Sequence, residues 1–267
     1  MGLYQPRMQS YRGWLFVCFS RETESLRDYL AGTCGYLDMI LDQDEGGSAV
    51  VPGTHEYSMR ANWKLLMENT VDVYHLNSTH GRYLRDYVPK VLGLKSPNPR
   101  TAHEGSLSPN ELGNGHVVIE YRKFSGVADE AKRASWEARF GKERATRMLD
   151  YTRTLLLFPN TLFIEQRRVI RTCFPTAPDF SEITAWPLMP AIDEPEVRSS
   201  GLTYICRFSG PPAMPRPTTS RSWSSFREIA RPFRDMLSWT APAACSASIR
   251  FRAMKFRCAP SGVVGAI

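Results

Sequence analysis

The stretch TLLLFPNTLFIEQRRVIRTCFPT, residues 154–176, decides the fold. Leu, Phe, Ile, Val and Thr crowd it, and Pro159-Asn160 interrupts it with turn chemistry. It reads as two strands folded back on each other. SEITAWPLMP (181–190) reads as a further strand, and GHVVIEYRKF (115–124) as one upstream. Residues 49–61 alternate like a strand interrupted at Pro52-Gly53. Tyr11, Trp14, Leu15, Phe16, Val17 and Phe19 form a short apolar run near the N-terminus, the pattern of a buried strand.

Helical signals fall in blocks between these strand groups. Ser20, Glu22 and Glu24 precede SLRDYLAGTCGYLDMILD, which Gly32 and Gly35 divide into two short helices. NWKLLMENTVDVYHLN (62–77) carries an apolar stripe of Trp63, Leu66, Met67, Val71 and Tyr74. A second helix is expected to start at Ser78 or Thr79 and to run to about Pro89. Residues 94–114 are rich in Ser, Pro, Asn and Gly and read as a loop, and residues 128–149 as one surface helix. Many strands, short connections and blocked helices predict an α+β fold with an antiparallel sheet, not alternating βαβ units. Neither GxGxxG nor a Walker sequence is present, so a nucleotide fold has no support.

The chain has 267 residues and a formal net charge of +7. Residues 1–210 hold 25 Lys and Arg against 25 Asp and Glu, so the excess lies wholly in residues 211–267. That tail contains 8 Arg, 8 Ser, 7 Pro and 9 Ala, and is expected to be poorly ordered. No basic face or stacking motif accompanies the charge, so no nucleic-acid partner is expected. No apolar run reaches 18 residues, which predicts no membrane span. The first 20 residues lack the basic and apolar regions of a signal peptide. Six Cys stand without close pairs, which suits a reducing, cytoplasmic setting.

Chemistry concentrates in ENTVDVYHLNSTH, residues 68–80. On a helix, steps of three residues keep Asn69, Asp72 and His75 along one face. A straight helix would turn His80 about 140° away from His75, so the chain must break for the two rings to meet. Asn77, Ser78 and Thr79 supply residues for such a break. Two imidazoles from adjoining helices can then share a metal, and Asp72 is placed to accept a ring N–H of His75 and set its tautomer. Two imidazoles and one carboxylate, with positions left open, suit non-haem Fe(II) and O2. The HExxH of zinc proteases is absent. His55, His103 and His116 read as strand or loop histidines without partners in sequence.

NWKLLMENTVDVYHLNSTH (62–80) resembles the iron-site segment of the large (alpha) subunit of Rieske-type aromatic ring-hydroxylating dioxygenases, NWK-x-x-x-EN-x-x-D-x-YH-x-x-x-x-H, at nine positions. SYRGWLFVCF (10–19), PGTHEYSMRANWK (52–64) and LLLFPNTLFIEQ (155–166) are similar to its flanking elements, so the likeness covers roughly residues 7–210. The resemblance implies a helix-grip fold, an antiparallel sheet curled around helices as in START and Bet v 1-like domains. It implies that His75 and His80 bind the iron, that Asp72 bridges to a Rieske cluster on a neighbouring subunit, and that Asn69 is a nearby amide. It further implies an aromatic substrate, O2, and electrons from NADH through a reductase and often a ferredoxin. Homotrimers or alpha/beta oligomers are implied as well. The segment lies closest to relatives acting on aromatic acids. Val73, Leu76, Leu84, Val88 and Phe158 are candidates for pocket lining or ordinary core.

The chain departs from that pattern twice. No Cys is followed by His at the spacings of a Rieske cluster, so no 2Fe–2S centre is expected in it. At the other end, Ser209-Gly210-Pro211 fits the lead into a third, acidic iron ligand, yet no acid follows before Glu228. Asp179, Glu182, Asp193, Glu194, Glu196 and Asp235 are the remaining candidates, none in the expected context. Residues 214–223 can be encoded so that a frame displaced by two bases spells APTDDVEVL, and residues 251–265 so that the same displacement spells QGDEVQMRAFWRRW. The tail thus reads as an out-of-frame translation. The division expected is an incomplete catalytic domain over 1–210 and an aberrant tail over 211–267, inactive without partners. The competing readings are a helix-grip module that binds a hydrophobic ligand without metal, and a folded remnant of a degraded gene.

Overall fold

A computed structural model describes residues 5–20, 22–44, 46–50, 54–79, 109–123 and 130–191. The elements in order are β1 (Arg7–Tyr11), β2 (Trp14–Cys18), α1 (Leu26–Leu30), α2 (Thr33–Leu41), β3 (Ser48–Val50), β4 (His55–Met59), α3 (Trp63–Val71), α4 (His75–Thr79), β5 (Asn110–Glu111), β6 (Val117–Arg122), α5 (Glu130–Phe140), α6 (Lys142–Asp150), β7 (Tyr151–Leu157), β8 (Thr161–Ile164), β9 (Val169–Ala177) and β10 (Phe180–Pro190). β3 and β5–β10 form one sheet in the order β3-β10-β9-β8-β7-β6-β5, and β4 also pairs with β10. Every pairing is antiparallel. The expected α+β class with an antiparallel sheet is therefore the architecture observed.

Strand register sorts the side chains onto two faces, because residues paired across a ladder point the same way. On one face Val118, Leu155, Leu157, Phe163, Ile170 and Leu188 pack against Leu30 of α1 and against Leu37 and Ile40 of α2. On the other, Leu156, Leu162, Ile164, Val169, Cys173, Ile183 and Ala185 pack against Met67 of α3, with Trp63, Leu66 and Val71 beside it. Covering both faces explains why β7 is buried along nearly its whole length instead of alternating. Each fully buried side chain of this kind contributes about 1.5–3 kcal/mol.

The first face also carries ions. Glu120 and Arg153 are cross-strand partners, and Arg153 is wholly inaccessible. Its Nε donates to Glu120 at 2.8 Å and its Nη1 to Glu165 at 3.0 Å. Arg147 of α6 donates to the second Glu120 oxygen at 2.6 Å. Nothing in sequence spacing joins these four residues.

Several expectations need correction. The N-terminal run is a hairpin, not one buried strand: Arg12 and Gly13 turn it with positive φ, and β1 is largely exposed. The first helix is capped by Ser25, whose side chain accepts from the Asp28 N–H, not by Ser20. The single helix over 128–149 is two, because Gly141 sits at φ +81° between them, a region open to glycine. Residues 154–176 give three strands, not two: a 3-10 turn at Glu165–Arg167 separates β8 from β9. The loop expected at 94–114 contains β5 at its end. No helix among the described residues is long and apolar enough to cross a membrane. The tail over 211–267 lies outside the described residues.

Candidate metal centre

The centre begins with a helix start. Asn62, in extended conformation, accepts from the Lys64 N–H at 3.0 Å and caps α3. Its amide also donates to the Pro178 carbonyl at 2.7 Å, which ties the helix to the β9–β10 turn. Met67 then anchors the helix on the sheet.

α3 stops at Asp72, which is extended at φ −92° and ψ 131°. A short acidic side chain competes for backbone N–H groups and so favours such an end. The Asp72 carboxylate accepts from the Tyr74 N–H at 2.7 Å and from the His75 N–H at 3.2 Å, capping α4. The same carboxylate lies 3.2 Å from His75 Nδ1. A carboxylate only accepts, so this contact favours the tautomer with the proton on Nδ1 and makes Nε2 the nitrogen His75 would offer a metal.

The break is thus real but comes earlier than expected. It falls at 72–74, not at Asn77–Thr79, and His75 opens the second helix instead of closing the first. Asn69, Asp72 and His75 therefore do not share one continuous helical face. Asp72 reaches His75 by capping it. Asn69 is partly buried on α3, and no hydrogen bond joins it to Asp72 or His75. His80 lies outside the described residues.

Tyr121 is the neighbour that motif reading missed. It stands on β6, and its phenol is pushed up to about 12, chiefly by burial and then by the negative charge of Asp72. Only the period of two along β6, which sets Tyr121 on the face of Val117 and Ile119, carried a hint of it. Asp72 remains partly open to solvent, with a third of its side chain exposed, and Tyr74 beside it is 88% exposed.

The other candidates scatter. His116 is fully buried: its Nε2–H donates to the Tyr29 carbonyl at 2.7 Å and its Nδ1 accepts from the Phe158 N–H at 3.0 Å. It is a structural residue, as expected. His55 lies on β4, and His103 falls outside the described residues. Phe158 packs against Gly115 instead of lining the centre. Val73 is partly buried, while the side chains of Leu76, Leu84 and Val88 fall outside the described residues. Asp179 and Glu182 are exposed at the β9–β10 turn. Among the described residues no group of three His, Cys, Asp or Glu converges for a metal. The described donor set is the Asp72–His75 pair, and an imidazole oriented by a carboxylate is a fitting metal ligand.

Comparison with known proteins agrees on the class. The structure superposes on naphthalene 1,2-dioxygenase with indole bound in the active site at a TM-score of 0.70 and 22% identity, over 87% of this chain and 54% of that one. A Rhodococcus naphthalene 1,2-dioxygenase matches at 0.67. The fold is that of a Rieske oxygenase catalytic domain, of the helix-grip kind. Residues 48–209 match the family described as ring hydroxylating alpha subunit (catalytic domain). The chain belongs to that family, and membership implies a non-haem iron in this domain. It is 28% identical over 247 residues to the 2-halobenzoate 1,2-dioxygenase large subunit of Burkholderia cepacia, covering 86% of this chain and 52% of the relative. It is 31% identical over 189 residues to the anthranilate 1,2-dioxygenase large subunit of Acinetobacter baylyi, covering 62% and 38%. The chain spans about half the length of the curated relatives it matches.

Proposed function

We propose that this chain is the catalytic-domain part of an aromatic ring-hydroxylating dioxygenase, with His75 and His80 holding a mononuclear ferrous ion. The observation that carries the reading is the Asp72–His75 contact, set at a helix break inside the family-matched region. Ferrous iron there supplies the redox chemistry that makes O2 reactive toward an aromatic ring. Asp72 holds the His75 ring in one orientation and keeps the Nδ1 proton in place. Its partly exposed carboxylate suits the bridge to a neighbouring subunit's cluster that the resemblance implies. Asn69 is the nearby amide of the same helix.

Three of the relatives carry names of aromatic acids or their amino and halo derivatives: 2-halobenzoate, toluate and anthranilate. An aromatic acid is accordingly the substrate class we favour over a plain arene. Electrons would come from NADH through a reductase or ferredoxin, in a homotrimer or an alpha/beta oligomer. The purified chain by itself is expected not to turn over, since it contains no Cys–His pattern for a 2Fe–2S cluster.

Anaerobic titration with Fe(II), followed by metal analysis, tests the centre. One iron per chain is expected. His75→Ala and His80→Ala should each lower the affinity at least tenfold. Iron retained equally by both variants overturns the reading and favours a metal-free ligand-binding module.

A further inference from the structure

Two arginines near the centre of the fold are fully engaged with carboxylates. Arg153 meets two glutamates, and Arg168 donates to both oxygens of Asp44 at 2.8 and 3.1 Å. Arg171 of β9 is different. Among the described residues no ion pair or hydrogen bond engages its side chain, and its Nε is shielded from water without a partner. A guanidinium carries five donors and stays charged, so a shielded N–H without an acceptor is costly.

Register shows what surrounds it. Arg171 stands opposite Leu162 on β8 and opposite Ala185 on β10. Ala185 in turn stands opposite His55 on β4. Leu162, Arg171, Ala185 and His55 therefore form one row across four strands, on the face that α3 covers. His55 Nδ1 is also shielded and without a partner. Two strand spacings put the Arg171 and His55 backbones about 10 Å apart. Between them Ala185, itself buried, contributes only a methyl group to the row. The walls are apolar: Leu162, Cys173 and Ile183 belong to the same cluster, with Tyr57 partly buried beside them.

We infer that Arg171 and His55 form a carboxylate subsite on the sheet face shared with the metal helix. A fork of guanidinium donors matches a carboxylate's two oxygens, and a ring N–H of His55 supplies a further donor from the far side of Ala185. The apolar walls take the body that bears the carboxylate. Two sources have this chemistry: a free aromatic acid, or an acidic side chain of a polypeptide segment laid on the same face. The inference deepens the function proposed above by giving the acid group of the substrate a place, and its test requires no iron.

The experiment titrates benzoate, its neutral analogue benzamide, and acetate into the purified iron-free chain. The readouts are the arginine Nε–Hε resonances and the binding isotherm. Benzoate is expected to shift the Arg171 resonance and to bind at least tenfold more tightly than benzamide. Arg171→Met should abolish that preference, Arg171→Lys should keep part of it, and His55→Gln should weaken it severalfold. Circular dichroism of each variant confirms that it folds. Benzoate at least tenfold tighter than acetate assigns the subsite to a small aromatic acid. Equal, Arg171-dependent binding of both assigns it to a polypeptide carboxylate. Benzoate and benzamide binding alike, neither binding, or a preference that survives Arg171→Met overturns the subsite. His75→Ala, which should lose iron, should keep the benzoate preference. A chain that binds iron but ignores benzoate thus sinks only the subsite, and one that prefers benzoate but fails to bind iron sinks only the metal centre.

Discussion

On the sheet face that meets α2 and α6, Arg153 is buried between Glu120 and Glu165, and Arg147 closes the group. On the face that meets α3, Arg171 and His55 carry shielded nitrogens with no acceptor or donor opposite them. The same element type, an arginine on a central strand, is thus finished in one layer and open in the other. The difference separates a face whose central arginine is matched by two glutamates, although Glu165 keeps one buried oxygen without a partner, from a face whose central arginine meets no carboxylate among the described residues. The Asp72–His75 pair belongs to the second face.

Stability measurements probe that contrast most strongly. Arg153→Met leaves buried Glu165 without its hydrogen-bonded counter-ion and Glu120 with Arg147 alone, and should cost about 3–5 kcal/mol in urea denaturation. Arg171→Met removes an unpartnered charge and should change stability by less than about 1 kcal/mol. Similar losses in both variants would show that Arg171 is held by contacts equal to those of Arg153.

The next effect in size concerns the metal. Asp72→Asn keeps a capping side chain but replaces an ionised acceptor of the His75 ring N–H with a neutral amide. Fe(II) affinity should fall about 10- to 100-fold, the usual effect of losing a partner that orients a ligand. Unchanged affinity by equilibrium dialysis would mean that His75 is oriented by packing alone.

A smaller effect depends on pH and belongs to the structural face. Burial lowers the His116 pKa, against the opposing effect of its bond to the Tyr29 carbonyl. Protonation would also destroy the acceptor used by the Phe158 N–H. The folded state therefore binds fewer protons than the unfolded one below the ordinary histidine value of about 6.5. The stability from neutral His116 is complete above that value and is lost as pH falls beneath it. Melting temperatures at pH 7.5, 6.5 and 5.5 should decline more steeply for the native chain than for His116→Gln. Parallel declines would assign the acid sensitivity to carboxylates instead.

Much of this was readable before any coordinates. Hydrophobic runs punctuated by Pro159-Asn160 and Pro52-Gly53 located β3, β4, β6, β7 and β10, because strand propensity and turn chemistry act within a few residues, while β8 and β9 read as one strand. The Asp72-to-His75 spacing announced their contact for the same reason: three residues span one helical turn or one capping loop. What went astray was also local in kind. Asp72 ended α3 sooner than the apolar stripe suggested, since its carboxylate gained two N–H groups by capping. Gly141 split a helix that Ala, Glu and Arg content favoured as one piece.

Residue order by itself determined an antiparallel α+β chain, the sites of most strands, and an acid placed to steer an imidazole. Tertiary structure alone decided which face each strand turns to which helix, that Glu120, Arg147, Arg153 and Glu165 meet, and that Arg171 and His55 flank Ala185. Those outcomes depend on register between strands distant in sequence. Register is set by the joint burial of two opposite faces, which no single stretch of residues specifies.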